Sequence, residues 1–168
     1  AVVFAQGANI NDSVQNHEQA ELLRLFEANV SFISDHVKIL MEHNLIKSKG
    51  RVVILSSIWE LLTRQDKFAY TVTKAAVGGL VRSLAVDLGS AKGILVNGIL
   101  PGIVDTPMSR GLLKPEQIDA VINGTPTGRM LIPSDIGNAV YLLASELNTA
   151  ISGQSLLVDN GWSIARKI

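Results

Sequence analysis

The stretch YTVTK, residues 70–74, puts a phenol and an ammonium four residues apart. At helical spacing they share one face. Both carry protons, so together they are a candidate proton-handling pair. The same face continues through Val77, Val81, Leu84 and Leu88. Tyr70 and Lys74 therefore head a row that should meet the core. Ser57 lies 13 residues before Tyr70, at the end of the apolar run RVVILSS. Asn29 falls mid-helix between Phe26 and Val30, an unfavourable place because its amide competes for backbone groups. Ser56, Asn97, Pro101, Gly102 and Thr106 also fall at the ends of strand-like runs. Singly, each has a plain reading: a surface pair, a turn serine, a solvated asparagine, a Pro-Gly turn.

The elements that must position them alternate. AVVFAQ, RVVILSS, GILVNGIL and QSLLVD read as short buried strands. A helical pattern between the first two places Leu22, Phe26, Val30, Ile33, Val37 and Leu40 on one face. WELLTRQDKF reads as a polar loop, followed by the helix of Tyr70 and Lys74 to about Gly89. Residues 103–132 form a long irregular excursion with one short helix, KPEQIDAVI. PSDIGNAVYLLASEL is a helix with proline, serine and aspartate in its first turn. The order β-α-β-α-β-excursion-α-β implies an α/β fold with a parallel sheet covered on both faces. Ligands in such sheets bind beyond the carboxyl ends of the strands. The excursion 103–132 would lie there, as a lid.

Bulk composition narrows the functions. The 168 residues are expected to form a single domain, 47% apolar, 18% charged, with 15 basic and 15 acidic side chains. A zero net charge without charge runs gives no grip for nucleic acid or an acidic membrane surface. Cysteine is absent, which excludes disulfides and thiolate metal sites. His17, His36 and His43 read as solvated residues without convergent carboxylates, so no metal site is expected. No apolar run reaches bilayer length, and a cytoplasmic location is the default expectation. The chain opens at Ala1 directly in a strand-like run, which reads as a piece of something longer.

Ser57, Tyr70 and Lys74 together resemble the serine and Tyr-x-x-x-Lys signature of the short-chain dehydrogenase/reductase family. RVVILSS is similar to that family's fifth strand, and LVNGILPGIVDTPM to its segment at the nicotinamide end of the cofactor. PTGRMLIPSDIGNAVYLLAS and ISGQSLLVDNGW resemble its final helix and last strand. Asn29 falls where the family's active-site asparagine would lie. The resemblance covers essentially the whole chain.

It implies hydride transfer between NAD or NADP and a carbonyl or alcohol. Tyr70 would be the general acid/base, its pKa drawn below the ordinary value near 10 by Lys74 and the nicotinamide charge. Lys74 would also bind the nicotinamide ribose. Ser57 would orient the substrate oxygen, and Asn29 would hold a water leading from Lys74 to solvent. Ala5, Pro101, Gly102, Val104 and Thr106 would border the cofactor. Ile58, Gln65, Met108 and Trp59 would line the substrate pocket. Asn97 reads as a tie between strand and loop, Arg129 as an anchor of the excursion, and Trp59 and Trp162 as pocket lining or as core or interface.

The resemblance also implies a gap. The glycine-rich turn that holds the pyrophosphate is absent, and FAQG stands where the family has NNAG. The expected fold is thus a partial Rossmann-type doubly wound sheet, family strands 4–7, with the first strand as an open edge that seeks a partner. Three readings follow: a fragment of a longer enzyme, one chain of a split enzyme, or a non-catalytic association module. Homo-dimers or homo-tetramers are expected through the helix EANVSFISDHVKILMEH, the face of Ala75, Ala76, Gly78 and Gly79, and the last strand.

Overall fold

The computed structural model describes residues 1–165. Four parallel strands lie in the order β1-β2-β3-β4: β1 Val2–Phe4, β2 Arg51–Leu55, β3 Leu95–Pro101 and β4 Ser155–Val158. This is the expected contiguous half-sheet. Its β1 edge leaves Val3 42% exposed.

Helices cover both faces because the strands are apolar on both. Val52 and Ile54 pack with Val96 under α2 (Phe32–Glu42) and α3 (Phe68–Lys92). Val53 and Ile99 point the other way, onto Ile136, Ala139 and Leu143 of α6 (Pro133–Ala144). Alternation along each strand sends neighbouring residues to opposite layers. α3 ends at Gly93, whose φ of +65° closes the helix through its N–H to Gly89 O.

The first helical region departs from the single periodic stripe expected of it. α1 (Gln19–Phe26) and α2 are joined by a π-helical turn, Glu27–Ser31. Such a turn holds an extra residue and rotates the preceding face. Leu25, fully buried, therefore takes the inward place, while Phe26 is 40% exposed. The same rotation turns Asn29 into the interior, at 1% exposure.

Residues 103–132 are also more regular than expected. They contain α4 (Pro107–Leu112) as well as α5 (Pro115–Gly124). Thr106 caps α4 by accepting from Ser109 N, and the Gln117 side chain accepts from Lys114 N at the start of α5. Val104 bridges Leu131 at the base of this excursion. Arg129 pairs with Asp135 at 2.7 Å, tying its exit to α6.

Candidate active site

Beyond the carboxyl ends of β2 and β3 lies a cavity of about 370 Å³. Ser56 and Ser57 reach it from the end of β2, Tyr70 from the first turn of α3, and Pro101 and Gly102 from the end of β3. Met108, Leu112 and Leu113 close it from the α4 side. Ser57 and Tyr70 are 8% and 9% exposed and both line the cavity wall.

Tyr70 and Lys74 belong to one continuous buried row of α3 that runs on through Val77 and Val81. Lys74 Nζ lies 5.6 Å from the Tyr70 ring centre and donates to Leu55 O at 3.3 Å. Burial pushes the ammonium down to about 8, and the Glu60 carboxylate partly offsets this. Burial pushes the Tyr70 phenol up to about 12, against a smaller downward pull from the Ser57 hydroxyl. The lowering expected from Lys74 and the nicotinamide charge together belongs to the cofactor complex; in the chain alone the shift is upward. Desolvation of the phenolate outweighs the hydrogen bond from Ser57.

Asn29 has every side-chain partner it needs from protein. Its Oδ1 accepts from Ala8 N at 2.8 Å, and its Nδ2 donates to Ala8 O and Thr73 Oγ1 at 3.0 Å. The side chain thus joins the loop after β1 to α3. Gly7 allows the approach: a Cβ there would fall 3.2 Å from Asn29 Oδ1 and 3.6 Å from Lys74 Nζ.

The residues expected to border substrate and cofactor divide. Trp59 and Met108 line the cavity. Ile58 does not: it is fully buried among Leu25, Trp59, Ala69 and Tyr70, because the short helical turn Ile58–Glu60 points it inward. Gln65 is exposed at a turn where Asp66 has φ +58°, and lies outside the cavity lining. Pro101, Gly102, Val104 and Thr106 line the cavity. Pro101, Val104 and Thr106 also line a second, apolar hollow with Val3, Ala5 and Leu55. The two hollows therefore meet along the segment after β3. Gly102 is fixed by packing as well. A Cβ there would fall 2.8 Å from Asp159 Cβ and 3.0 Å from its Cα.

Three cavity residues were not read from the sequence. Asn9, Arg64 and Lys67 all line it. Lys67 stands three residues before Tyr70, at helical spacing, a signal hidden by its loop-like surroundings. Asn97 ties strand to loop as expected, donating to Ile151 O and accepting from Gln154 N. Trp59 and Trp162 meet edge to face at 6.3 Å. A Cβ at Gly78 would fall 2.4 Å from Glu60 Oε1, so Glu60 of this chain occupies that space. Among the described residues no helix is long and apolar enough to cross a membrane, and no cluster of possible metal ligands occurs.

A family model described as enoyl-(acyl carrier protein) reductase matches residues 2–163. Cyclopentanol dehydrogenase of Comamonas sp. (strain NCIMB 9872) is 32% identical over 89% of this chain and 60% of its own length. The 7alpha-hydroxysteroid dehydrogenase of Escherichia coli (strain K12) is 35% identical over 84% of this chain and 55% of its own. The chain thus spans little more than half of these curated relatives. A gluconate 5-dehydrogenase from Burkholderia cenocepacia J2315, solved in complex with NADP and tartrate, superposes with a TM-score of 0.91. That match, at 25% identity, covers 98% of this chain and 65% of the other. With a family match along nearly its whole length, and a serine, tyrosine and lysine gathered at the ends of a parallel sheet, the chain belongs to the short-chain dehydrogenase/reductase family.

Proposed function

We propose that this chain supplies the proton-handling and substrate side of an NAD- or NADP-dependent oxidoreductase acting on a carbonyl or alcohol. The observation that carries the reading is the convergence of Ser57 and Tyr70 on one cavity, with Lys74 behind the phenol. Tyr70 gives its proton to a carbonyl oxygen in reduction and accepts one from an alcohol in oxidation. Ser57 donates to that oxygen and orients it. Lys74 favours the charged form of the phenol and holds the cofactor ribose. Asn29 acts by fixing the loop after β1 against α3 beside Lys74.

The residues fit the nicotinamide end of the cofactor. Ala5, Pro101, Val104 and Thr106 border an apolar hollow that shares a wall with the catalytic cavity. Bound there, the nicotinamide would donate or accept the hydride. The segment 103–132 serves as the substrate lid, and residues 1–168 act as one domain. The open β1 edge, with Val3 exposed, supports a further reading in which strands bearing the pyrophosphate turn pair with it, from the same polypeptide or another. Association of copies into dimers or tetramers is part of the proposal.

Initial rates followed by nicotinamide absorbance test the reading on the complete polypeptide, whose intact mass shows whether residues precede Ala1. Tyr70→Phe keeps the ring and removes the proton, and is expected to reduce kcat by about 10²–10⁴-fold. Unchanged activity in this variant would refute it. A stable oligomer without nucleotide affinity would favour the association module instead.

A further inference from the structure

The cavity lining contains two cationic side chains, Arg64 and Lys67, and not one carboxylate. Lys67 is only 3% exposed. Its Nζ donates to Asn9 Oδ1 at 2.8 Å and to Ile10 O at 3.3 Å, both neutral acceptors. An ammonium has three donors, so one is left over. Among the described residues no acid lies within ion-pairing distance of it. Asp12 acts on it only through space: its Oδ1 is engaged by Ala69 N, and its Oδ2 is buried without a hydrogen-bond partner among the described residues. A buried cation without a hydrogen-bonded anion is costly unless a charged partner arrives. Burial and the neighbouring Arg64 charge push Lys67 down to about 8, which still leaves it charged at neutral pH.

The position of this charge matters. Lys67 Nζ lies 5.4 Å from the Tyr70 ring centre. An anion bound to Lys67 is therefore a few bonds from an oxygen held by Tyr70 and Ser57. The cavity volume of about 370 Å³ suits a small molecule. Met108, Leu112, Leu113 and Trp59 give an apolar wall for its carbon chain.

We propose that the substrate is a small hydroxy- or oxo-carboxylic acid, its carboxylate held by Lys67 with Arg64 at the cavity rim and its reacting oxygen held by Ser57 and Tyr70. This rests on the oxidoreductase reading above and names the substrate class within it. Lys67 is then a specificity-determining residue, with Asn9 and Ile10 O fixing the direction of its ammonium.

Short hydroxy acids and their methyl esters, identical except for the anion, test this on the complete polypeptide. Binding is measured by titration calorimetry with NAD or NADP present, and hydride transfer by nicotinamide absorbance. A charge-assisted hydrogen bond predicts that acids bind about tenfold or more tightly than esters. Lys67→Met should collapse that ratio toward one, and Arg64→Gln, at a half-exposed site that leaves the fold intact, should reduce it in part. Equal binding of acid and ester, or equal loss of both in Lys67→Met and in Arg64→Gln, would overturn the inference. Hydride transfer without acid preference sinks this inference and keeps the oxidoreductase reading. Acid preference lost in Lys67→Met, without hydride transfer to any substrate, keeps the anion site and sinks that reading.

Discussion

The Lys74 ammonium lies 5.6 Å from the centre of the Tyr70 ring, one helical turn further along the same buried row of α3. Burial drives the two groups toward their neutral forms, the phenol up to about 12 and the ammonium down to about 8. At neutral pH the phenol is uncharged whether folded or not, so the cost to the fold falls on the Lys74 ammonium and depends on pH. Between about 8 and the ordinary lysine value of 10.5, the unfolded chain binds more protons at Lys74 than the folded one. Stability from this residue therefore rises with pH across that window. Lys74→Met should be more stable than the parent at pH 7 by roughly 1–3 kcal/mol, and the gain should shrink as pH approaches 10. Urea midpoints of both proteins at pH 7 and pH 10 check this. Lys67 titrates in both and cancels. A difference that stays constant with pH would show that Lys74 ionises normally.

Ser57 draws the Tyr70 phenol down by a hydrogen bond. It also accepts weakly from Trp59 N, at 3.3 Å. Ser57→Ala should therefore leave the fold nearly intact while removing both that pull and a donor to the substrate oxygen. The expected effect is a fall in kcat of about 10²-fold at neutral pH, with the pH for half-maximal oxidation moved upward. Parallel melting curves confirm that the loss is chemical. An unmoved pH profile would place Ser57 outside the proton path.

The parts of this site that are local in sequence were legible. Tyr70, Lys74, Val77 and Val81 share a face because helical spacing alone decides it. The strand order followed from alternation and from the family resemblance. What was hidden depended on tertiary context. The π-helical turn at Glu27–Ser31 shifts the phase by one residue, so Leu25 rather than Phe26 is buried. No apolar period announces that. Lys67 reads as a loop lysine until packing covers it with Asn9 and Ile10. The rise at the Tyr70 phenol was hidden for the same reason: spacing reveals the ammonium nearby but not the depth of burial that sets the phenol high in this chain.

Asn29 is the product of that hidden turn. It spends one acceptor and two donor contacts on Ala8 and Thr73 while 1% exposed. Asn29→Ala would leave Ala8 N and O without these partners inside the protein. The expected loss is about 2–4 kcal/mol, read from urea unfolding with an unchanged slope. The loop after β1 should also become more open to amide exchange at Ala8. A loss below about 0.5 kcal/mol would mean that water replaces the amide without difficulty.

Gly102 tests whether the segment after β3 is set by packing. Its N–H donates to Val158 O at 2.9 Å, which draws it against the next residue, Asp159. Asp159 cannot retreat easily, since its carboxylate accepts from Gly161 N and Ser163 N. A Cβ at Gly102 would meet Asp159 Cα at 3.0 Å, a backbone atom rather than a flexible side-chain end. Gly102→Ala should therefore part β3 from β4 and cost about 1–3 kcal/mol. It should also shift Pro101, which lines both hollows, and so raise KM for cofactor and substrate together. Gly111→Ala is the matched control. It lies in α4 with nothing within 4 Å of its Cβ direction, so the same substitution there should stabilise by about 0.4–1 kcal/mol. The opposite signs of the two alanine substitutions, measured by thermal unfolding side by side, separate close packing from the ordinary backbone cost of glycine. Matching signs would mean that β3 and β4 yield at Asp159 and that the wall between the two hollows is soft.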